Sequence, residues 1–136
     1  MSYGYSLLYA NYISVIDRSR LYSQISFVHS LTKCSESLQF DLADILKPVL
    51  VDRLVLSLCR HKLLKDEYFD YKSDRCYLNK KGVKFFVEKY ENYLLKTIKI
   101  NNKYYSYRNL ISREVHLLSN YIANESNDYK PYIMKW

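Results

Sequence analysis

The scarcity of glycine and proline constrains this chain more than any other feature of its sequence. Only Gly4, Gly82, Pro48 and Pro131 represent these two residue types among 136 residues. All-β folds and Rossmann-type folds need glycine at many turns, and phosphate-binding loops need glycines close together. The sequence therefore predicts an all-α fold, a helical bundle of about five to six helices with short joints.

Length and composition predict one globular domain that spans residues 1–136. Hydrophobic residues make up 49% of the chain and charged residues 26%, which is typical of a folded chain and not of a disordered one. The most apolar stretch, residues 48–59, is interrupted by Asp52 and Arg53. It is too short and too charged to span a bilayer, so we expect no membrane association.

The cysteines indicate a reducing compartment. Cys34, Cys59 and Cys76 are odd in number and widely spaced, without a C-x-x-C pair, so neither a zinc site nor a thioredoxin motif is predicted. The first ten residues lack the basic segment of a signal peptide. We therefore expect a cytoplasmic protein with reduced thiols.

Apolar residues recur at helical spacing in several segments. Residues 65–78 interrupt this pattern as a charged and aromatic joint, and Asn101-Asn102 is a turn signal. Asn79 is a good N-cap, and Pro48 predicts a kink with Lys47 outside helical geometry. The predicted helices cover about 3–17, 38–47, 48–64, 79–96 and 104–124.

The positive charge of the chain is concentrated in its second half. Residues 69–136 carry thirteen Lys or Arg against seven Asp or Glu, out of a net charge of +7. A basic half predicts a polyanionic partner. A solvated lysine-rich surface that only gives solubility is the alternative interpretation.

Asp41 and Asp44 are suited by type and spacing to hold a cation. Three residues apart on a predicted helix, they stand near one another on its surface, away from the apolar stripe. His29 lies twelve residues upstream of Asp41, across a short joint, and carboxylates with one imidazole suit Mg²⁺ or Mn²⁺. From spacing alone, a solvated helix face beside a hydrogen-bonded histidine is the simpler interpretation, and Glu36 is a further possible oxygen donor.

Six sequence blocks follow one another in an order and spacing that resemble a known family. Together they resemble the C-terminal helical domain of the CRISPR-associated integrases called Cas-one, over essentially the whole chain. The resemblance implies an all-helical catalytic domain that follows a small N-terminal β domain, with metal-dependent DNA endonuclease and integrase activity in spacer acquisition. The blocks are SYGYSLLY at 2–9, ISFVHS at 25–30, SLQFDLAD at 37–44, KPVLVDRLV at 47–55, YLNKKG at 77–82 and YKPYIMKW at 129–136.

The resemblance also implies roles for individual residues. His29 and Asp44 match the metal ligands of the family, and Asp41 matches a neighbouring acid that supports the site, with Mg²⁺ or Mn²⁺ as the metal. A third ligand of the family, a glutamate, precedes the first block, as does the β domain that resembles its dimerisation element. We therefore expect this chain to be a shortened gene product, an excised piece or one half of a split protein.

The partners implied by the resemblance are double-stranded DNA with 3′ ends, CRISPR repeat DNA, a second copy of the protein and the small protein Cas-two. Basic residues of the second half would contact phosphates, which positions DNA without reading its sequence. A non-catalytic helical module that binds DNA or protein, and a purely structural assembly fragment, are the alternatives. The candidate phosphate contacts are Lys80, Lys81, Lys84, Lys89, Lys96, Arg108 and Arg113.

Overall fold

A computed structural model of the chain describes residues 1–29 and 37–134. Within these ranges, the α-helices are α1 (Ser2–Ile16), α2 (Leu38–Lys47), α3 (Arg53–Arg60), α4 (Lys80–Leu94) and α5 (Tyr107–Ile122). The strands are β1 (Phe69–Lys72), β2 (Arg75–Leu78), β3 (Thr97–Ile100) and β4 (Lys103–Ser106). A π-helical segment, Pro48–Asp52, joins α2 to α3, and a 3-10 turn, Asp66–Tyr68, precedes β1.

The prediction of an all-α fold is wrong, because two antiparallel hairpins separate the later helices. Strands β1 and β2 form one two-stranded sheet, and β3 and β4 form the other. Both hairpins turn without glycine, since Ser73, Asn101 and Asn102 adopt positive φ angles of 51°, 48° and 64°. The described part of the chain is therefore mixed α and β, and the scarcity of glycine did not exclude strands here.

The predicted helices themselves are present, with ends that differ by a few residues. In α4, the predicted cap is confirmed, since the Asn79 side chain accepts a hydrogen bond from the Gly82 backbone N–H at 3.0 Å. The C-terminal helix starts at Tyr107, later than expected, because β4 occupies residues 103–106. Its cap is Ser106, whose side chain accepts the backbone N–H of Asn109 at 3.1 Å.

The prediction that Pro48 displaces Lys47 from helical geometry is also wrong. Lys47 keeps helical angles of φ −49° and ψ −51°, and Pro48 begins the wider π-helical turn. A wide turn can accommodate a proline, which lacks the N–H of an ordinary helical residue. The chain therefore continues from α2 through the π-helical segment into α3 without a non-helical residue between them.

A single apolar cluster holds the helices together, and α1 lies in close contact with the π-helical segment. At Gly4, an added Cβ atom would lie 2.6 Å from Val51 Cγ1 and 3.2 Å from Phe86 Cζ. Only glycine allows that approach. The most buried members of the cluster are Leu8, Tyr12, Ala43, Leu46, Leu50, Val51, Leu94, Leu110 and Val115.

Among the residues that the structure describes, none of the helices is both long and apolar enough to cross a bilayer. Cys34 and Glu36 lie outside the described residues, as do residue 30 of the second sequence block and residues 135–136 of the last one.

Candidate functional site

The Asp41 carboxylate organises the loop that precedes α2. Its side chain is only 4% exposed, and it accepts backbone N–H hydrogen bonds from Phe27, Val28 and His29 at 2.6, 3.0 and 3.1 Å. Burial alone would raise the pKa of Asp41, but hydrogen bonds from the His29 imidazole and these three N–H groups outweigh it and lower that pKa. Asp41 therefore stays ionised at neutral pH and fixes this part of the loop.

The His29 imidazole lies against two residues of α2. Its Nδ1 atom hydrogen-bonds the Asp41 carboxylate, and its ring centroid lies 5.6 Å from that of Phe40. Phe40 in turn makes an edge-to-face contact with Tyr9 of α1, at 4.7 Å between centroids. Because Nδ1 is engaged by Asp41 and 43% of the side chain is exposed, Nε2 is the ring nitrogen that remains for a ligand.

Asp44 lies one turn after Asp41 on α2 and is largely exposed. Its carboxylate, 53% exposed, forms an ion pair with Lys47, whose ammonium lies 5.5 and 5.0 Å from the ring centroids of Tyr5 and Tyr9. Burial alone would lower the pKa of Lys47, but hydrogen bonds with Asp44 and Tyr9 outweigh it and raise that pKa. Sequence reasoning missed this cation, although the i,i+3 spacing of Asp44 and Lys47 is a signal for such a pair.

The structure brings His29 and Asp41 into contact. Asp44 lies on the same helix as Asp41. Within residues 1–29 and 37–134, no group of three or more His, Cys, Asp and Glu side chains could hold a metal ion. One imidazole nitrogen and one carboxylate are nevertheless donors that Mn²⁺ and Mg²⁺ accept, and Mg²⁺ commonly binds through one or two carboxylates with water and substrate phosphates. By chemical type His29 and Asp44 suit such a metal, but as two donors they are an incomplete ligand set.

The predicted phosphate contacts fall into two groups. Lys80, Lys81 and Lys84, at the start of α4, are exposed. The other four lie beside acidic or aromatic side chains: Lys89 beside Glu88, Lys96 beside Tyr93, Arg108 beside Glu91 and Arg113 beside Glu114.

A buried carboxylate on α5 was not predicted. Glu114 is 0% exposed; it pairs with Arg113 and accepts the backbone N–H of Tyr132 at 3.0 Å. Burial raises the pKa of Glu114, although these two contacts oppose the shift. A signal was present, since Glu114 lies at helical spacing between Ile111 and Leu118, which are both buried.

Comparison with known proteins identifies the family. The family model described as "CRISPR associated protein Cas1" matches residues 1–92. The CRISPR-associated endonuclease Cas1 of Thermotoga maritima is 36% identical over 127 residues, which cover 92% of this chain and 40% of that protein. Its counterpart in Clostridium perfringens is 34% identical over 138 residues, covering 100% of this chain and 42% of that protein.

Two solved structures are also similar to this chain. The Cas1 protein from Thermotoga maritima matches with a TM-score of 0.83 at 36% identity, over 92% of this chain and 40% of that one. A casposase bound to an integration product matches with a TM-score of 0.86 at 25% identity, over 98% of this chain and 40% of that one. The chain belongs to the Cas1 family, and it spans about two fifths of the length of the relatives that it matches.

Proposed function

We propose that this chain supplies the metal-binding face of a DNA endonuclease and integrase that acts in CRISPR spacer acquisition. Family membership supports the proposal, and the observation that carries it is the hydrogen bond from His29 Nδ1 to the Asp41 carboxylate. Histidines that bind metals characteristically use their second ring nitrogen in this way. His29 and Asp44 would hold Mg²⁺ or Mn²⁺, which when bound would act as a Lewis acid on the attacking hydroxyl and on the phosphate oxygens.

The residues around the two ligands have separate tasks in this proposal. Asp41 fixes the orientation of the His29 ring, since its carboxylate binds both the ring and the backbone of that residue. Lys47 balances the charge of Asp44, and the rings of Tyr5 and Tyr9 would still hold its ammonium if a metal ion displaced it from that carboxylate. Lys47 thereby leaves Asp44 paired and accessible from solvent.

The proposed reaction is a transesterification. The oxygen of a free DNA 3′-hydroxyl bonds to the phosphorus of a phosphodiester in CRISPR repeat DNA, while the bond from that phosphorus to the leaving 3′-oxygen breaks. The proton of the attacking hydroxyl passes to the leaving oxygen, so no oxidant or reductant is consumed. The substrate would be double-stranded DNA with 3′ ends, which is consistent with the integration product bound to the structurally similar casposase.

The whole assembly is part of the same proposal. The chain spans about two fifths of the length of the relatives, so a homodimer and the partner protein Cas-two would be recruited by an assembly larger than this chain. The exposed lysines at the start of α4, Lys80, Lys81 and Lys84, would contact phosphates.

Nicking of branched or single-stranded DNA by the purified chain, with Mg²⁺, Mn²⁺ or EDTA, tests the proposal. We expect divalent-metal-dependent cleavage that Asp44→Ala reduces by more than about 100-fold, since even residues that only support a metal ligand cost about 10–100-fold when changed. His29→Ala should have the same effect. Asp17→Ala, which removes another exposed carboxylate, is the matched control and should cleave like the wild type.

The absence of cleavage with either metal at high protein concentration would contradict the proposal. Salt-sensitive DNA binding without cleavage would indicate the non-catalytic module instead. Failure to bind DNA at low salt would leave only a structural fragment.

A further inference from the structure

Two serine side chains connect the loop that carries His29 to the N-terminus of α2. The Ser37 hydroxyl donates a hydrogen bond to the Ser26 Oγ atom at 2.8 Å, and the Ser26 hydroxyl donates to the backbone carbonyl of His29. We call these two consecutive hydrogen bonds the serine bridge. The bridge ends on a residue that would bind metal, so it bears directly on the geometry of the candidate site.

The Ser37 hydroxyl is used for this loop and not for its own helix. Ser37 is the N-cap residue of α2, yet within the described part of the chain its side chain accepts no N–H of that helix, whereas Asn79 and Ser106 cap α4 and α5 in the usual way. The hydroxyl has a single hydrogen to donate. Ser26 at 2.8 Å is a better acceptor for it than the Gln24 carbonyl at 3.3 Å.

The start of the same loop is attached to α2 at a second point. The backbone N–H groups of Ser37 and Leu38 both donate to the Ser23 carbonyl, at 2.8 and 3.0 Å. Ser23 and Ser37 are buried, whereas His29, six residues further along, is exposed. The position of the exposed end of the loop therefore depends on the contacts that Asp41 and the serine bridge make there.

The backbone of His29 is held on both sides. Its N–H donates to the Asp41 carboxylate at 3.1 Å, and its carbonyl accepts from Ser26. A residue has only two soft backbone torsion angles, φ and ψ. Because Asp41 holds the peptide group before His29 and Ser26 holds the one after it, the two contacts together fix both angles.

The two candidate metal donors come from different elements. His29 belongs to the loop and Asp44 to α2, so contacts between loop and helix set the distance between them. Binding sites tolerate errors of only about 0.5 Å in the placement of such groups. Two donors are an incomplete ligand set, so a misplaced imidazole cannot be compensated easily by other protein ligands.

We propose that Ser26 and Ser37 are positioning residues of the candidate metal site, which hold the His29 imidazole at a fixed place relative to Asp44. The identity of the site rests on the proposed function, whereas the role of the hydroxyls rests on their hydrogen bonds. Both serines would act through His29, without a contact of their own to the metal.

Carbon-13 relaxation of the His29 ring in the metal-free chain tests the positioning itself. In the wild type the order parameter of the ring should be near that of rigid backbone, about 0.85, and Ser26→Ala and Ser37→Ala should each lower it below about 0.6. Ser26→Thr keeps a hydroxyl at the same position and should retain the wild-type value.

Mn²⁺ titration without DNA, followed by electron paramagnetic resonance of the free ion, measures the consequence for metal binding. We expect the Kd to rise about 10-fold in both alanine variants, as for other residues that support a metal ligand, and to change less than about 2-fold in Ser26→Thr. Ser106→Ala is the control, because it removes a hydroxyl that caps α5. It should lower the urea midpoint of unfolding but leave both the ring order and the Mn²⁺ affinity unchanged.

Unchanged ring order in both alanine variants would overturn the proposal, as would unchanged Mn²⁺ affinity in those variants when the wild type binds the metal. Equal losses in Ser26→Thr or in Ser106→Ala would also overturn it, since they would show a general effect of substitution or of lower stability. If the wild type binds no Mn²⁺ while ring order falls only in the alanine variants, the two hydroxyls still position His29, and the proposed function alone fails.

Discussion

At the scale of single residues, two neighbouring carboxylates on α2 have different environments. Asp41 is 4% exposed and binds four donors, three from the backbone and one from His29. Asp44 is 53% exposed and forms an ion pair with the Lys47 ammonium. Substitution of Asp41 should therefore affect the stability of the fold, and substitution of Asp44 should affect the proposed activity.

Asp41→Ala should destabilise the fold, whereas Asp44→Ala should not. Removal of Asp41 leaves three backbone N–H groups without their acceptor, and we expect the free energy of unfolding to fall by about 1–3 kcal/mol. Asp44→Ala removes an exposed pair and should change it by less than about 1 kcal/mol. Urea unfolding checks both values, and equal losses for the two variants would contradict this division.

Tyr12 carries a buried hydroxyl without a hydrogen-bond partner among the described residues. Tyr12→Phe should therefore be neutral or stabilise the protein by up to about 1 kcal/mol, because no hydrogen bond is lost. Tyr90→Phe is the matched variant, since its hydroxyl accepts from Asn11 at 3.3 Å, and it should cost about 1 kcal/mol. A larger loss for Tyr12→Phe than for Tyr90→Phe, measured by urea unfolding, would refute the prediction.

At the scale of elements, helices could be predicted from the sequence and hairpins could not. Leu8, Tyr12 and Ile16 repeat at helical spacing and are all buried, so the period of the pattern reflects one face of α1. The hairpins are only four residues a strand, and their turns use Ser73 and Asn101 at positive φ. Asn101-Asn102 indicated a turn. The short strands on either side of it contain too few residues to show the alternation of apolar and polar positions that predicts a strand.

The contact between α1 and the π-helical segment predicts the effect of Gly4→Ala. Alanine in a helix is normally favoured over glycine by about 1 kcal/mol. Here, the new methyl would lie 2.6 Å from Val51 Cγ1, so we expect a net loss of about 1–3 kcal/mol. Ser6→Ala, at an exposed position of the same helix, should change thermal unfolding little; stabilisation by Gly4→Ala would show that the contact is looser.

At the scale of the whole molecule, buried tyrosines make stability depend on alkaline pH. Burial raises the pKa values of Tyr12, Tyr90 and Tyr93. In the unfolded chain these phenols lose their protons near pH 10, whereas the folded chain retains them. The unfolded state then binds fewer protons, so stability falls as pH rises above about 10.

Unfolding free energies at pH 8, 10 and 11 should show this decline (about 1.4 kcal/mol per pH unit at most for each tyrosine). Tyr12→Phe should make the decline shallower. Tyr22→Phe, which removes a hydroxyl from a side chain that is 72% exposed, provides the control. Identical slopes for wild type and Tyr12→Phe would contradict the assignment.

The candidate site could be predicted from the sequence only in part, because some of its contacts join segments that are distant in the sequence. Resemblance marked His29 and Asp41, and the structure shows them in contact. Lys47 was missed because its role depends on two rings of α1. Glu114 was missed because its acceptor role depends on Tyr132, eighteen residues later, and a sequence pattern within one helix does not report contacts between distant segments.

The π-helical segment Pro48–Asp52 sets the rotational phase between the helices on either side of it. An α-helix advances about 100° per residue, so deletion of a single residue there would swing every side chain of the following helix by that angle. Leu54 and Leu58, now buried, would rotate out of the interior. The wider turn thus fixes which face of α3 meets the apolar interior.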